Sequence, residues 1–345
     1  MTKDRNKLFS TVIIAYYKLH LLKESINSFL NQSYKNLELI IINNGAENSI
    51  ANYINDLSRV DHRIKIITLK KNFFDINNPE LMHEVLLNKA LEIVTGEYIH
   101  FCSYDDKYSN DYVQRMVNLF NENKFCSSAI GRCVSIDIKN NINNNELKNY
   151  SYNRPRFMKG EDFALEIIKK NQKIHANPGN FFTFKTNFLR KKGGFNKSFD
   201  NKSIFGIIPF AETGYDKDAI FYWRRHDDQL NKKVTYLGIT GAKDTIEFIK
   251  EYDLHSKWLF FGRPNADLVI KSILKNQFRS SANISVKNLI NSNFKGCFRV
   301  FKETNYNLIF FQYFLYFLIY YRKNIIYKFL KKIGIGYFVK KIKNI

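Results

Sequence analysis

Short apolar runs alternate with helical patterns in the first part of the chain. The runs that predict buried strands span residues 11–16, 37–42, 64–69 and 98–102. Helical patterns lie between and after them, from Leu19 to Phe29, from Pro79 to Gly96 and onward from Asn110. Because strands that alternate with helices form βαβ units, we predict an α/β fold with a mostly parallel central sheet flanked by helices.

The pattern changes twice further along the chain. After about residue 125 it becomes less regular, and beyond residue 230 it is helical. We therefore predict one domain over residues 1–230, whose half 1–125 carries the βαβ units and whose half 126–230 completes it. Residues 231–345 are predicted to form a helical C-terminal region.

The C-terminal tail, residues 304–345, combines aromatic and basic side chains. From Leu308 to Tyr321 the only polar interruption is Gln312, and seven lysines follow Arg322 without any acidic residue. This composition predicts a helix that lies in a membrane interface with its lysines against anionic lipid. The alternative is a helix that packs on the domain and ends in a solvated basic segment. No run of about 18 purely apolar residues occurs, so no spanning helix is predicted.

The net charge indicates the kind of partner, and the cysteines indicate the cellular compartment. The 54 Lys and Arg residues against 32 Asp and Glu residues give a net charge of +22, which indicates an anionic partner such as a nucleic acid, a membrane surface or a phosphorylated substrate. Because basic charge is conspicuous in the aromatic tail, we expect a membrane surface and no nucleic acid. The four cysteines lack C-x-x-C spacing, which favours free thiols in a reducing cytosol over zinc or disulfides.

Two adjacent carboxylates, Asp105 and Asp106, follow the strand predicted at residues 98–102. Ligands bind at the carboxyl ends of strands in parallel sheets, so these residues are candidates for a site. Carboxylate oxygens suit Mg²⁺ or Mn²⁺ bound together with substrate phosphates. The alternative is that Asp106 only serves the turn before the next helix. Alone, the pair is a weak signal.

Several further blocks occur in an order that resembles the family-two glycosyltransferases. The stretch VIIAYYKLHLLKESINSFLNQSYKNLELIIINNGAEN, residues 12–48, matches the family's first block nearly throughout. Leu87-Asn88 stands eight residues before the GEYI block, and CSYDD, residues 102–106, stands at the family's metal motif. Farther on come Gly193-Gly194-Phe195-Asn196, Phe199-Asp200 and the segment 223–226. The resemblance covers about residues 8 to 230 and implies the GT-A fold, with residues 1–125 as the nucleotide-sugar-binding half and residues 126–230 as the acceptor-binding half.

The resemblance also implies a role for each matching residue. Asp200 would be the catalytic base. Asp105 and Asp106 would bind a divalent metal, Mn²⁺ or Mg²⁺. Arg225 and His226 would face the diphosphate or the acceptor. The nucleotide-sugar would contact Ala15, Tyr16, Tyr17, Asn43, Asn44, Asn88, Ser103, Tyr104 and Asp105, with Tyr16 packed on the nucleobase.

The chain departs from the family pattern at three places. Asn43-Asn44 replaces two aspartates, Ser103 replaces the first aspartate of the metal motif, and Leu87 replaces an arginine. An asparagine oxygen can still accept the uracil N3 proton, although without charge. Other carboxylates resemble candidate bases but are assigned structural roles. Glu161 and Asp162 are predicted in the first turn of a helix, and Asp216 and Asp218 are predicted to flank a strand.

The resemblance implies an inverting glycosyltransferase that uses a nucleotide-sugar, most simply a UDP-sugar. With the tail, it implies a lipid-linked oligosaccharide acceptor and a cytoplasmic enzyme held on the inner face of the cytoplasmic membrane. Bacterial O-antigen, lipopolysaccharide or capsule assembly would fit. One alternative is a nucleotidyltransferase, which would need a glycine-rich loop near the first strand that this chain lacks. The other is a non-enzymatic basic protein that binds nucleic acid.

Overall fold

In a computed structural model of the protein, the described residues are 7–15, 17–143, 154–169, 182–195, 201–322, 324–326 and 328. The chain divides into two compact units, Met1–His226 and Asp227–Ile345.

Four parallel strands form one half of the sheet in the first unit. They are β1 (Phe9–Ala15), β2 (Leu37–Asn43), β3 (Ile64–Thr68) and β4 (Tyr98–Cys102), in the order β3-β2-β1-β4. The helices between them are α1 (Leu19–Leu30), α2 (Asn48–Val60) and α3 (Pro79–Ile93). This half confirms the predicted βαβ units. It also contains α2, which was not predicted from the sequence. Only Ile50 and Ile54 of this helix are buried, so its apolar pattern is weak.

The other half of the sheet is mixed. It contains β5 (Lys107–Tyr108), β6 (Cys126–Ile136), β7 (Phe157–Lys159), β8 (Phe182–Lys185) and β9 (Glu212–Arg224). From β4 the order continues β8-β6-β9-β5, with β7 also paired to β9. The pairing of β6 with β9 is parallel, whereas the other pairs here are antiparallel. The helices are α4 (Tyr112–Glu122), α5 (Gly160–Lys169) and α6 (Thr186–Lys191), followed by single turns over Lys202–Ile207 and Ile208–Phe210.

A bulge in β9 sets where this strand ends. Gly131 of β6 pairs with Asp216, but the next residue, Arg132, pairs with Ile220. The β9 backbone comes so close there that a Cβ on Gly131 would stand 2.2 Å from the Ala219 carbonyl oxygen. A side chain at position 131 would therefore force the two strands apart. The register after the bulge places Arg224 opposite Ile136, where both strands end.

The described part of the second unit contains six helices, which confirms the helical C-terminal prediction. They are α7 (Leu230–Tyr236), α8 (Ala242–Glu251), α9 (Leu254–Leu259), α10 (Arg263–Ile290), α11 (Phe294–Glu303) and α12 (Leu308–Tyr320). Its core joins α10, α11 and α12 through Phe278, Ala282, Val286, Val300, Phe310 and Phe317. Among the described helices, none combines the length and apolar character needed to cross a membrane.

Candidate active site

The carboxyl ends of the parallel strands bring the predicted site residues to one edge of the sheet. Ala15 pairs with Asn43, and Ile13 pairs with Cys102, so β1, β2 and β4 end near one another. Ala15 itself is buried. The chain leaves β4 through a turn that contains Asp105 and Asp106, and β9 delivers Arg224 and His226 to the same turn. This convergence is what the position of a ligand site in a parallel sheet predicts.

Asp105 and His226 form the central pair of this site. The His226 Nε2 atom lies 3.0 Å from Asp105 Oδ2, and both side chains are largely buried. The other ring nitrogen, Nδ1, is also buried and has no hydrogen-bond partner among the described residues. A carboxylate and an imidazole in this arrangement can share a proton or hold a cation.

Asp106 lies against the end of β9 and does not face His226. Its Oδ1 accepts a hydrogen bond from the Arg224 backbone N–H at 2.9 Å. Burial, and then the neighbouring Asp105 carboxylate, raise the pKa of Asp106 well above its usual range. Asp106 therefore holds the end of β9 against the turn, and its predicted metal-binding role stays a prediction.

Arg224 organises the turn, although the sequence reading selected Arg225. The Arg224 guanidinium is fully buried and donates to the Asp105 main-chain oxygen at 2.8 Å and to Glu24 Oε2 on α1 at 2.6 Å. It also contacts the main-chain oxygens of Asp137 and Ile138, both at 3.3 Å. Arg224 therefore ties α1, β6 and β9 to the turn that carries Asp105.

Arg225 points the other way. Its guanidinium is exposed and stacks on the Trp223 ring, 4.1 Å from the ring centroid. The alternation of side chains at a strand end explains the difference, because neighbouring residues face opposite sides. Such alternation could have indicated from the sequence that only one of the two arginines enters the site.

The two asparagines at the end of β2, Asn43 and Asn44, hold loops. Asn43 Oδ1 accepts a hydrogen bond from the Ala46 N–H at 3.0 Å. Asn44 is fully buried, donates to Asn72 Oδ1 at 3.0 Å and accepts from the Phe73 N–H at 2.9 Å. Because the Asn44 carboxamide is committed to the loop after β3, a direct contact with a nucleobase would require that loop to open. The nucleobase contacts predicted for Asn43 and Asn44 stay predictions.

Asn88 clamps the backbone of the glycine-rich block. Its Nδ2 donates to the Phe195 carbonyl oxygen at 2.8 Å, and its Oδ1 accepts from the Phe195 N–H at 2.9 Å. Gly194 has a φ of +64°, and a Cβ there would stand 2.3 Å from Asn88 Oδ1. The structure thus shows Asn88 in a positioning contact, where the resemblance predicts a nucleotide contact.

An aromatic pair borders the site. The Tyr17 and Tyr104 rings meet edge to face with their centroids 6.2 Å apart, and both are partly exposed. Such rings can provide a stacking surface. The nucleotide-sugar contacts predicted for Tyr17 and Tyr104 stay predictions. Ser103 is partly buried beside them. Tyr16 and Asp200, the predicted nucleobase platform and catalytic base, lie outside the described residues.

The other carboxylates have structural surroundings. Glu161 and Asp162 stand in the first turn of α5, as predicted. Asp216 and Asp218 lie inside β9, so the prediction that they flank a strand was wrong. Asp216 forms ion pairs with Arg115 and Arg156, both at 3.5 Å, which is a structural role. In the described part of the chain, no three or more His, Cys, Asp or Glu side chains cluster as a metal site.

Comparison with protein families identifies the family of this chain. The sequence profile of glycosyl transferase family 2 matches residues 10–199, more than half of the chain. The chain belongs to glycosyl transferase family 2. The matched span begins in β1 and includes the Asp105-Asp106 turn and the Asn88 clamp.

Curated relatives agree with this membership, and a solved structure shares the fold. An uncharacterized glycosyltransferase of Haemophilus influenzae is 33% identical over 132 residues, which are 38% of this chain and 38% of that protein. A GalNAc(5)-diNAcBac-PP-undecaprenol beta-1,3-glucosyltransferase of Campylobacter jejuni is 26% identical over 207 residues, 60% of each chain. The chain therefore spans less than two thirds of these relatives. Residues 1–349 of S. aureus TarS, in a complex with UDP-GlcNAc, share the fold with a TM-score of 0.51 and 12% identity, covering 86% of this chain and 89% of that one.

Proposed function

We propose that the protein is an inverting glycosyltransferase that moves a sugar from a nucleotide-sugar, a UDP-sugar in the simplest case, to a hydroxyl of a lipid-linked glycan acceptor. The observation that carries the proposal is the Asp105–His226 pair at the carboxyl edge of a family 2 domain. The lipid-linked acceptor is supported by the Campylobacter relative, whose name gives an undecaprenol-linked substrate. Synthesis of a bacterial surface glycan such as O-antigen, lipopolysaccharide or capsule follows from that acceptor class.

The residues present fit a divalent metal ion held by two protein ligands. The carboxylate of Asp105 and the imidazole of His226 lie 3.0 Å apart at the carboxyl edge of the sheet and would both hold the ion. With two protein ligands, the remaining positions would belong to donor phosphates and water. When bound, the ion would neutralise charge that develops on the departing diphosphate. We propose Mn²⁺ or Mg²⁺ as this ion.

The protein's own residues supply the remaining chemistry. Arg224 holds the Asp105 main chain, so the carboxylate is oriented before the donor binds. Tyr17 and Tyr104 provide the aromatic surface for the nucleobase. Asp200 accepts the proton of the acceptor hydroxyl while the hydroxyl oxygen attacks the anomeric carbon of the donor sugar. The bond from that carbon to the diphosphate breaks on the opposite face, so its configuration inverts.

We further propose that the enzyme is peripheral on the inner face of the cytoplasmic membrane. A lipid-linked acceptor resides in that membrane, and the tail after Glu303 carries basic residues without acidic ones. Each lysine close to an anionic membrane surface contributes about 1 kcal/mol of binding free energy.

The direct test incubates the full-length protein and Mn²⁺ with a panel of nucleotide-sugars and measures release of nucleoside diphosphate. One donor class should be turned over, and Asp105→Ala should abolish turnover. Asp218→Asn, which changes an exposed carboxyl group inside β9, is the matched control and should remain active. Turnover that survives Asp105→Ala would remove the Asp105 turn from the active site.

A further inference from the structure

Helix α12 has two different faces. Phe310 and Phe317 point into the core of the second unit, and Tyr321, just beyond the helix, donates a hydrogen bond to Asn283 Oδ1 of α10 at 3.0 Å. The opposite face is exposed, with Leu308 at 71% and Ile319 at 62% of full exposure. The first part of the predicted tail is therefore both a structural helix and an unpartnered apolar surface.

Helix α11 carries a similar exposed face that the sequence reading did not include in the tail. Phe294 is exposed, and Phe298, one turn later, is 66% exposed. Lys295 and Lys302 are exposed on the same helix. The other side of α11 is anchored by Val300 in the core. Phe301 lies beside Phe298 and packs against Phe310 with ring centroids 4.9 Å apart. Aromatic and basic side chains thus share the outer surface of a helix fixed to α12.

We infer that these two helices form one lipid-binding surface for anionic membranes. We define the aromatic face as Phe294 and Phe298 of α11 with Leu308, Leu315, Ile319 and Tyr320 of α12, all exposed. This inference rests on the membrane association proposed above and deepens it. The contact surface begins at residue 294, ten residues before the tail, and it consists of folded helices in addition to the basic segment.

The positive charge on α11 and α12 and the length of α12 favour lipid as the partner of this surface. Lys295, Lys302 and Arg322 are exposed on or directly beyond these helices, and no acidic residue follows Glu303 in the sequence. Aromatic, aliphatic and basic side chains in this combination are typical of helices that lie in the plane of a headgroup region. The 13 residues of α12 extend about 20 Å, less than the roughly 30 Å of a bilayer core, so the helix would lie on the membrane.

A second copy of this chain is the competing occupant. Lysine is depleted at the cores of protein–protein interfaces, and two basic surfaces in contact would repel each other. Anionic lipid instead provides both an apolar layer for the aromatic side chains and a countercharge for the lysines.

Vesicle flotation of the full-length protein tests the inference. Wild type should float with vesicles of equal parts phosphatidylglycerol and phosphatidylcholine, bind phosphatidylcholine vesicles weakly, and release as salt rises. The double substitution Phe298→Ser with Ile319→Ser should lower the vesicle partition coefficient by about tenfold or more, because each change removes a large apolar side chain from the contact. Val60→Ser with Phe125→Ser is the matched control, since these apolar residues of the first unit are 81% and 82% exposed.

Three readouts separate the outcomes. Lys295→Gln with Lys302→Gln, a change at exposed polar positions that leaves the core intact, should weaken binding to the anionic vesicles alone. Release of nucleoside diphosphate from soluble donors should be the same in every variant as in the wild type. If the wild type released none, that result would count against the proposed function and not against this lipid-binding surface. The inference would be overturned if the Phe298–Ile319 and Lys295–Lys302 double variants both bound vesicles as the wild type does. It would also be overturned if light scattering showed a wild-type dimer that the Phe298–Ile319 variant converts to a monomer while vesicle flotation stays unchanged.

Discussion

The Arg224 guanidinium donates from Nε to the main-chain oxygen of Asp105 at 2.8 Å, from a position with no solvent exposure. Its Nη2 donates to Glu24 on α1 at 2.6 Å, so the charge is paired within the fold. A buried arginine that bonds the backbone of a candidate ligand fixes that ligand before substrate arrives.

Replacement of Arg224 should therefore affect both stability and chemistry. Arg224→Leu leaves Glu24 and several main-chain oxygens without their donor, and it should lower the free energy of unfolding by about 3 kcal/mol or more in urea titrations. Arg224→Lys keeps the charge but cannot reach these oxygens together, so kcat should fall even at saturating donor. Arg225→Ala is the control and should change stability by less than about 0.5 kcal/mol. Equal effects at both positions would contradict the assignment.

Asn88→Ala tests whether this side chain acts on the backbone or on the nucleotide. The substitution removes both hydrogen bonds to Phe195 and should lower unfolding free energy by about 1–3 kcal/mol. If its role is positioning, the donor dissociation constant measured by calorimetry should stay within a factor of about two, while transfer slows. A large loss of donor affinity with unchanged stability would instead support the contact that the family resemblance predicts.

Asp200 remains the predicted base. Asp200→Asn preserves size and removes basicity, so it should bind donor normally and lose transfer by about 10²-fold or more. Single-turnover transfer with a fixed donor concentration provides the measurement. Asp216→Asn and Asp218→Asn serve as comparison variants within β9. Should either of these abolish transfer while Asp200→Asn remains active, the base has been assigned to the wrong carboxylate.

His100 predicts an acid-sensitive fold. It is fully buried between aromatic rings, and burial lowers the pKa of its imidazole to about 3. The unfolded chain protonates this group below pH about 6.5 while the folded chain does not, so this contribution to stability is complete above that pH and decreases as pH falls toward 3. The slope should be on the order of 1 kcal/mol per pH unit. Urea midpoints between pH 7.5 and 5 should shift less in His100→Gln than in wild type.

Much of the parallel half of the fold could be predicted from sequence because its strands are continuous apolar runs. The prediction of Tyr98–Cys102 coincides with β4, and all five of its residues are buried. Strand β9 could not be found in the same way. Its sequence ETGYDKDAIFYWR mixes charged and apolar residues, since a bulge interrupts the alternation and Asp216 is neutralised by arginines from distant segments.

The sequence predicted which residues of the candidate site stand at strand ends, but not the contacts that they make. The position of Asp105 follows from the strand that precedes it, so local sequence suffices. The pairing of Asp105 with His226, 121 residues away, depends on the register of β9 after its bulge, and no local pattern encodes that register. The same is true of Asn88 and Phe195, which meet across 107 residues of chain. Long-range backbone geometry therefore decides which predicted polar residues face substrate and which brace loops.

Metal-dependent donor affinity at Asp105 and His226 is the most direct measurement of the proposed site. Calorimetric titration of the donor that the wild-type protein turns over should give affinity at least about tenfold higher with Mn²⁺ than with excess chelator. His226→Gln and Asp105→Asn should each abolish that difference, whereas Arg225→Ala should retain it. Equal donor affinity in Mn²⁺ and in chelator for the wild-type protein would contradict the conclusion that this pair binds a metal ion together with the donor diphosphate.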